Sequence, residues 1–123
     1  MKKLSDAAIY YYNSGYNCCD CILKAAESLY GLQIPQEEYR AFSGFANGYG
    51  VGGMCSALNG AIAVMGMLFG ESEVSNMRLK LLSEFKRKYG GYNCSGVFSA
   101  AGGNCESVIR DAADILERTL MEP

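Results

Sequence analysis

Histidine is missing from this chain of 123 residues. Its absence excludes Ser-His-Asp and Cys-His catalysis, HExxH zinc sites and histidine proton shuttles. Any reactive thiol here must be activated by something other than imidazole. An excess of positive charge is missing too. The net charge is −2, so nothing draws the chain to nucleic acid or to an acidic membrane. The one basic run, Lys86-Arg87-Lys88, closes an expected helix and reads as a solvated helix end, where cations complement the carbonyls. No charge of either sign occurs between Arg40 and Glu71. The apolar part of that stretch, Met54 to Phe69, is shorter than the roughly 20 residues a membrane span needs. It also carries Ser56, Asn59, Gly60 and Gly66, so a central helix buried on all sides fits better than a span. No small-residue cleavage site follows Lys2 and Lys3, which argues against a signal peptide and places the chain in the cytoplasm.

What is present reads as one globular domain over residues 1–123, half hydrophobic and one-fifth charged. Leu4 to Asn13 predicts a first helix, stopped at Gly15. Asn17 is a cap for a second, Cys18 to Tyr30, ended by Gly31. Pro35 suits the first turn of a short third helix to about Ser43, with Glu37 and Glu38 near its start. The run Gly44-Phe45-Ala46-Asn47-Gly48-Tyr49-Gly50-Val51-Gly52-Gly53 leads into the central helix. Gly53, Ala57 and Ala61, four apart, let another helix approach closely. Glu73 to Tyr89 is amphipathic, with Val74, Met77, Leu81 and Phe85 inward. After a loop through Cys94, Asn104 caps a last helix from Cys105 to about Leu120, with Val108, Ala112, Ile115 and Thr119 on its inner face. No strand pair is visible. The fold class is all-α: a compact bundle of about five helices, four of them long, with a Gly-rich loop before a buried central helix.

Six cysteines in a cytoplasmic chain point to metal or redox chemistry more than to structural disulfides. Cys18 and Cys105 each follow a cap asparagine, Cys55 falls in the first turn after Gly52-Gly53, and Cys94 follows Asn93. Unpaired N–H groups at helix starts favour thiolate over thiol and predict depressed thiol pKa values. Cys18, Cys55 and Cys105 each begin an apolar stripe, so they should face inward and can meet in one pocket. The bland alternative, burial as a small hydrophobe, is the favoured reading for Cys19 and Cys21. Cys18-Cys19-Asp20-Cys21 contains C-x-x-C without the upstream strand of a thioredoxin. Gly48, Gly50 and Gly53 match G-x-G-x-x-G formally but lack a βαβ setting. These glycines instead allow close approach of another helix, an anion or a sulfur-ligated cluster.

The tetrapeptide Gly-Tyr-Asn-Cys occurs at residues 15–18 and 91–94. With the segment Gly52-Gly53-Met54-Cys55-Ser56-Ala57-Leu58-Asn59-Gly60-Ala61 and the pair Cys94 and Cys105, it makes the chain resemble the C_GCAxxG_C_C family. These are small bacterial and archaeal chains with four characteristic cysteines, described as redox-active. Ser56 stands where the family usually has glycine, and Cys19 and Cys21 are additional thiols. The resemblance implies redox or metal chemistry at Cys18, Cys55, Cys94 and Cys105, with Gly52 and Gly53 beside any cofactor. The chain is also similar to the iron–sulfur part of split-Soret cytochromes.

Two mechanisms follow: thiol–disulfide electron transfer with a redox partner, as a thiol oxidoreductase or electron carrier, or an iron–sulfur cluster on the same four cysteines. A structural zinc ion on all four fits less well, because intervals of 37, 39 and 11 residues lack the paired short spacings of ordinary zinc folds. The third alternative is a helical interaction module whose cysteines are only core. The small-residue face of the central helix can pack within the chain or across a homodimer.

Overall fold

The computed structural model describes residues 2–46 and 48–122. Met1, and Asn47 of the glycine-rich run, lie outside them. The described residues form seven α-helices: α1 (Leu4–Asn13), α2 (Cys18–Tyr30), α3 (Gln36–Ser43), α4 (Ser56–Leu68), α5 (Glu71–Tyr89), α6 (Cys94–Ala100) and α7 (Cys105–Met121). The class is all-α as expected, and the count of about five is corrected upward. The helix missed outright is α6. It is seven residues long, its N-cap Asn93 makes no side-chain cap bond, and Gly96 lies inside it, so neither pattern nor capping announced it. No strand occurs among the described residues. A single antiparallel bridge joins Met54 to Asn93, and no helix is long and apolar enough to cross a membrane.

The boundaries follow local chemistry. The side chain of Asn17 accepts from the Asp20 N–H at 2.9 Å, and Gly31 closes α2 in the left-handed region. Such a position costs an L-residue steric strain that glycine avoids. Asn104 accepts from the Ser107 N–H at 3.2 Å and starts α7. Pro35 is the residue before α3 and not its first turn.

α4 also begins later than expected, at Ser56, because Met54 is drawn into the bridge with Asn93. Cys55 is therefore the N-cap residue of α4 and not part of its first turn. α4 is the central helix. Ala57, Leu58, Ala61, Val64 and Met65 are buried, although Gly66 and Leu68 near its end are exposed. It packs on α2 at Gly60, where an added Cβ would lie 2.9 Å from the Cys19 carbonyl oxygen. The close approach expected of the small-residue stripe is thus concentrated at one position. α7 lays Val108, Ala112, Ile115 and Thr119 against this core, and α5 adds Val74, Met77, Leu81 and Phe85. The Thr119 hydroxyl, buried among them, donates to the Ile115 carbonyl at 2.8 Å, which removes the cost of an unpaired buried group.

Candidate thiol site

Four helices start at one end of the bundle, and each brings a cysteine. Cys18, Cys94 and Cys105 are the first residues of α2, α6 and α7, and Cys55 immediately precedes α4. All four line one small cavity of about 50 Å³, together with Ser56. Its remaining wall is apolar: Val97 and Phe98 of α6 and Val108 of α7. Cys55 is buried, whereas Cys18, Cys94 and Cys105 are half-buried. No disulfide is present; all six cysteines are free.

Backbone bonds hold the loop side of the cavity. The Cys55 N–H donates to the Tyr92 carbonyl at 2.7 Å, and the Cys94 N–H donates to the Gly53 carbonyl, on either side of the Met54–Asn93 bridge. The Gly53 N–H closes the glycine loop on the Gly48 carbonyl at 2.7 Å. Gly48 has φ +62°, and a Cβ there would lie 2.6 Å from the Cys94 Cβ. Only glycine lets the loop run this close to the cysteine. The ring of Tyr49 covers Gly53, and Gly52 abuts the side chain of Ser95. Gly52 and Gly53 therefore contact the protein's own chain, and neither lines the cavity.

The electrostatics differ from the sequence expectation. Helix N–H groups do act where expected: those of Leu58 and Ala57 at the start of α4 favour the Cys55 thiolate, although the Leu58 N–H itself donates to the Cys55 carbonyl at 3.1 Å. Burial acts the other way and is the larger cause, so the Cys55 thiol is pushed up. Cys18 is pushed up to about 11, first by burial and then by the neighbouring sulfurs of Cys105 and Cys55, against the Ser56 hydroxyl, which favours its thiolate. Burial also raises Cys105, with Cys94 adding to it and the Cys18 thiol opposing it. The expected depression of these thiols is corrected for Cys18, Cys55 and Cys105. A helix end offers one or two N–H groups, while a closed apolar wall and like charges act on the thiolate from several sides.

Cys19 and Cys21 lie elsewhere. Both are fully buried in the core, and burial pushes each up to about 12. The Cys21 S–H donates to the Tyr16 carbonyl at 3.4 Å. Neither lines the cavity, so the C-x-x-C motif is divided between the thiol cavity and the core. Among the described residues, no group of three or more His, Cys, Asp or Glu side chains is placed to hold a single metal ion.

Sequence reasoning missed Val97, Phe98 and Val108 as cavity walls, and it took Ser56 for a departure from the motif and not for a neighbour of Cys18. The hydroxyl one residue beyond Cys55, at a helix start, was the available signal for Ser56. Phe98 had none, since α6 itself was unread.

No curated protein and no solved structure matches this chain. A family model described as "Putative redox-active protein (C_GCAxxG_C_C)" matches residues 16–119, a span that includes all four cavity cysteines. The chain belongs to the C_GCAxxG_C_C family.

Proposed function

We propose that this chain is a thiol redox protein whose working centre is the cavity of Cys18, Cys55, Cys94 and Cys105. The observation that carries the reading is their convergence: cysteines 37, 39 and 11 residues apart in sequence share a space of about 50 Å³. Cys19 and Cys21 are left in the core. Packing alone gives no reason for four sulfurs to meet at one end of the bundle.

Cys18 and Cys105 both line the cavity, and of the neighbouring sulfurs Cys105 acts most on Cys18. The exchange runs in two steps. The Cys105 thiolate attacks one sulfur of a partner disulfide; a mixed disulfide forms, and the other partner sulfur leaves as a thiolate and takes up a proton. Cys18 then loses its proton and attacks the Cys105 sulfur. The Cys18–Cys105 disulfide forms, and the second partner thiol departs. The partner disulfide is reduced by two electrons and the cysteine pair is oxidised by two.

A second reading, an iron–sulfur cluster on the four cysteines, is favoured by the bridge. Cys55 lies opposite Tyr92, so Cys94 is its diagonal neighbour, about 7–8 Å away in an ideal ladder. That exceeds the usual Cα separation of a disulfide, up to about 6.8 Å. The spacing suits two ligands on different sides of a shared group better than a direct S–S bond. The donor set of four cysteines and no histidine fits such a group.

The test is anaerobic purification followed by iron, acid-labile sulfide and free-thiol counts per chain. Metal-free protein that loses two thiols to hydroxyethyl disulfide, recovered as a Cys18–Cys105 linkage, supports exchange. Stoichiometric iron and sulfide supports the cluster. Six unreactive thiols with neither iron nor sulfide would overturn both.

A further inference from the structure

Cys18 lacks part of the help that a helix start gives a thiolate. At the start of α2, Asn17 takes two N–H groups for itself. Its side chain accepts from Asp20 at 2.9 Å and its carbonyl accepts from Cys21 at 2.9 Å. Cys55 differs, since N–H groups of α4 favour its thiolate. No cation lines the cavity to make up the shortfall. The titratable groups around Cys18 are Cys55, Cys94 and Cys105 from the other helix starts, Cys19 and Cys21 of α2, the Tyr12 phenol of α1 and the Glu106 carboxylate next to Cys105. Each is neutral or negative, and a negative neighbour opposes a second negative charge.

Ser56 stands in this gap. It is the first residue of α4 and only 3% exposed. Among the described residues, its side chain is the only one lining the cavity that carries oxygen or nitrogen. Its position in the helix leaves the hydroxyl to the sulfurs. Ser75, Ser107 and Thr119 donate theirs to carbonyls three or four residues back along the chain. Ser56 has no helical turn behind it. Three residues back is Gly53, whose carbonyl accepts the Cys94 N–H. A buried hydroxyl needs a partner, and the other polar atoms in the side chains of this wall are the four sulfurs.

We propose that Ser56 is a positioning residue for the second step of exchange, its hydroxyl donating to the Cys18 sulfur as that sulfur becomes a thiolate. The inference deepens the thiol-exchange reading above and rests on it. In that step the Cys18 proton passes to water, and the thiolate electron pair forms the S–S bond to Cys105. The mixed-disulfide bond breaks; the partner sulfur departs with its electron pair and takes up a proton. Ser56 keeps its own proton throughout. A hydrogen bond to a charged sulfur is stronger than one to a neutral thiol, so the hydroxyl favours the state that attacks. Its influence on Cys18 runs in this direction, against burial and the neighbouring sulfurs.

The test compares the reduced, full-length chain with Ser56→Ala and Ser56→Thr. Iodoacetamide labelling of each cysteine is followed by peptide mass mapping across neutral to mildly alkaline pH, beside reaction with hydroxyethyl disulfide. In Ser56→Ala, Cys18 should label about threefold slower at each pH: an about tenfold loss of thiolate, partly offset by the greater nucleophilicity of a more basic sulfur. Cys105 should label as before, and its mixed disulfide should persist about threefold longer, because only the closing step is slowed. Ser56→Thr keeps the hydroxyl and should restore both rates. A merely structural role has the opposite sign, since losing the hydroxyl opens the cavity and Cys18 labels faster. Cys18 labelling that is unchanged or faster in Ser56→Ala, or as slow in Ser56→Thr, would overturn the role of Ser56; the exchange reading would stand if the unmodified chain still reduces hydroxyethyl disulfide. No reaction of the unmodified chain with hydroxyethyl disulfide would overturn the exchange reading, and this role with it.

Discussion

At one end of the bundle the starts of α2, α4 and α7 meet around a small space that holds four thiols. At the other, residues of their last turns, Tyr30, Leu68 and Leu120, line an open apolar groove of about 580 Å³. The helices are the same, and what is added to each end differs. The groove has only Phe69, Glu117 and Met121 besides. The thiol end has α6, a glycine loop in left-handed turns and a bridge that ties them together. Helix starts offer N–H groups and positive potential, and helix ends offer carbonyls. At the thiol end burial outweighs that potential for Cys18, Cys55 and Cys105, so what sets this end apart is the meeting of its sulfurs. Between the two lies a core that fixes the spacing of the helices.

That separation can be broken by substitution. Cys105→Ser has the largest expected effect on chemistry: exchange with hydroxyethyl disulfide is lost, because neither the first attack nor the closing S–S bond remains. Its thermal midpoint should move little, since Cys105 is only half-buried. Exchange that survives in this variant would remove Cys105 from the mechanism. Leu58→Ala has the largest expected effect on stability, about 2–5 kcal/mol in urea unfolding, because Leu58 is fully buried on α4. Its exchange rate per folded molecule should be unchanged; a parallel loss would merge the two regions.

Gly48→Ala acts on both at once. It forces a side chain into a left-handed position and against the Cys94 Cβ, at a cost of about 1–3 kcal/mol. The thiol end should respond further, with altered alkylation of Cys94 by peptide mass mapping. A variant that loses stability while Cys94 labels as before would show that the loop does not position it.

The remaining prediction is a pH dependence of the whole fold. Burial raises Cys18 to about 11 and Cys19 and Cys21 to about 12 in the folded chain, against about 8.5 for an unfolded thiol. The native state therefore keeps protons that the unfolded state releases. The stability this contributes is complete below about pH 8.5 and drains away as pH rises toward 11–12. The urea midpoint should fall between pH 8 and pH 10 under reducing conditions, and a level or rising midpoint would contradict the burial of these thiols.

The bundle was legible to the extent that its signals are local. Asn17 and Gly31 frame α2 at the residues where it starts and stops, because a cap and a left-handed stop act within one turn. The inward residues of α5 and α7 follow helical spacing and are buried as read. The thiol end was legible only as a set of cysteines. Their meeting depends on how four helices are placed, which spacing alone does not encode. α6 is too short for a period, and the bridge at Met54 shifts the start of α4 away from its apolar run. The thiol pKa values were misread for the same reason. N–H groups at a helix start can be seen in a sequence, while the burial that outweighs them comes from residues far along the chain.

The central claim is that four of the six thiols act as one centre. Differential alkylation with peptide mass mapping, over a series of dithiol–disulfide buffers of stepped potential, tests it most directly. Cys18 and Cys105 should become protected together as the buffer is made more oxidising, labelling of Cys55 and Cys94 should change with them, and Cys19 and Cys21 should label only after unfolding, as thiols, at every potential. Cys19 or Cys21 oxidising alongside Cys18, or all six remaining thiols throughout, would contradict it.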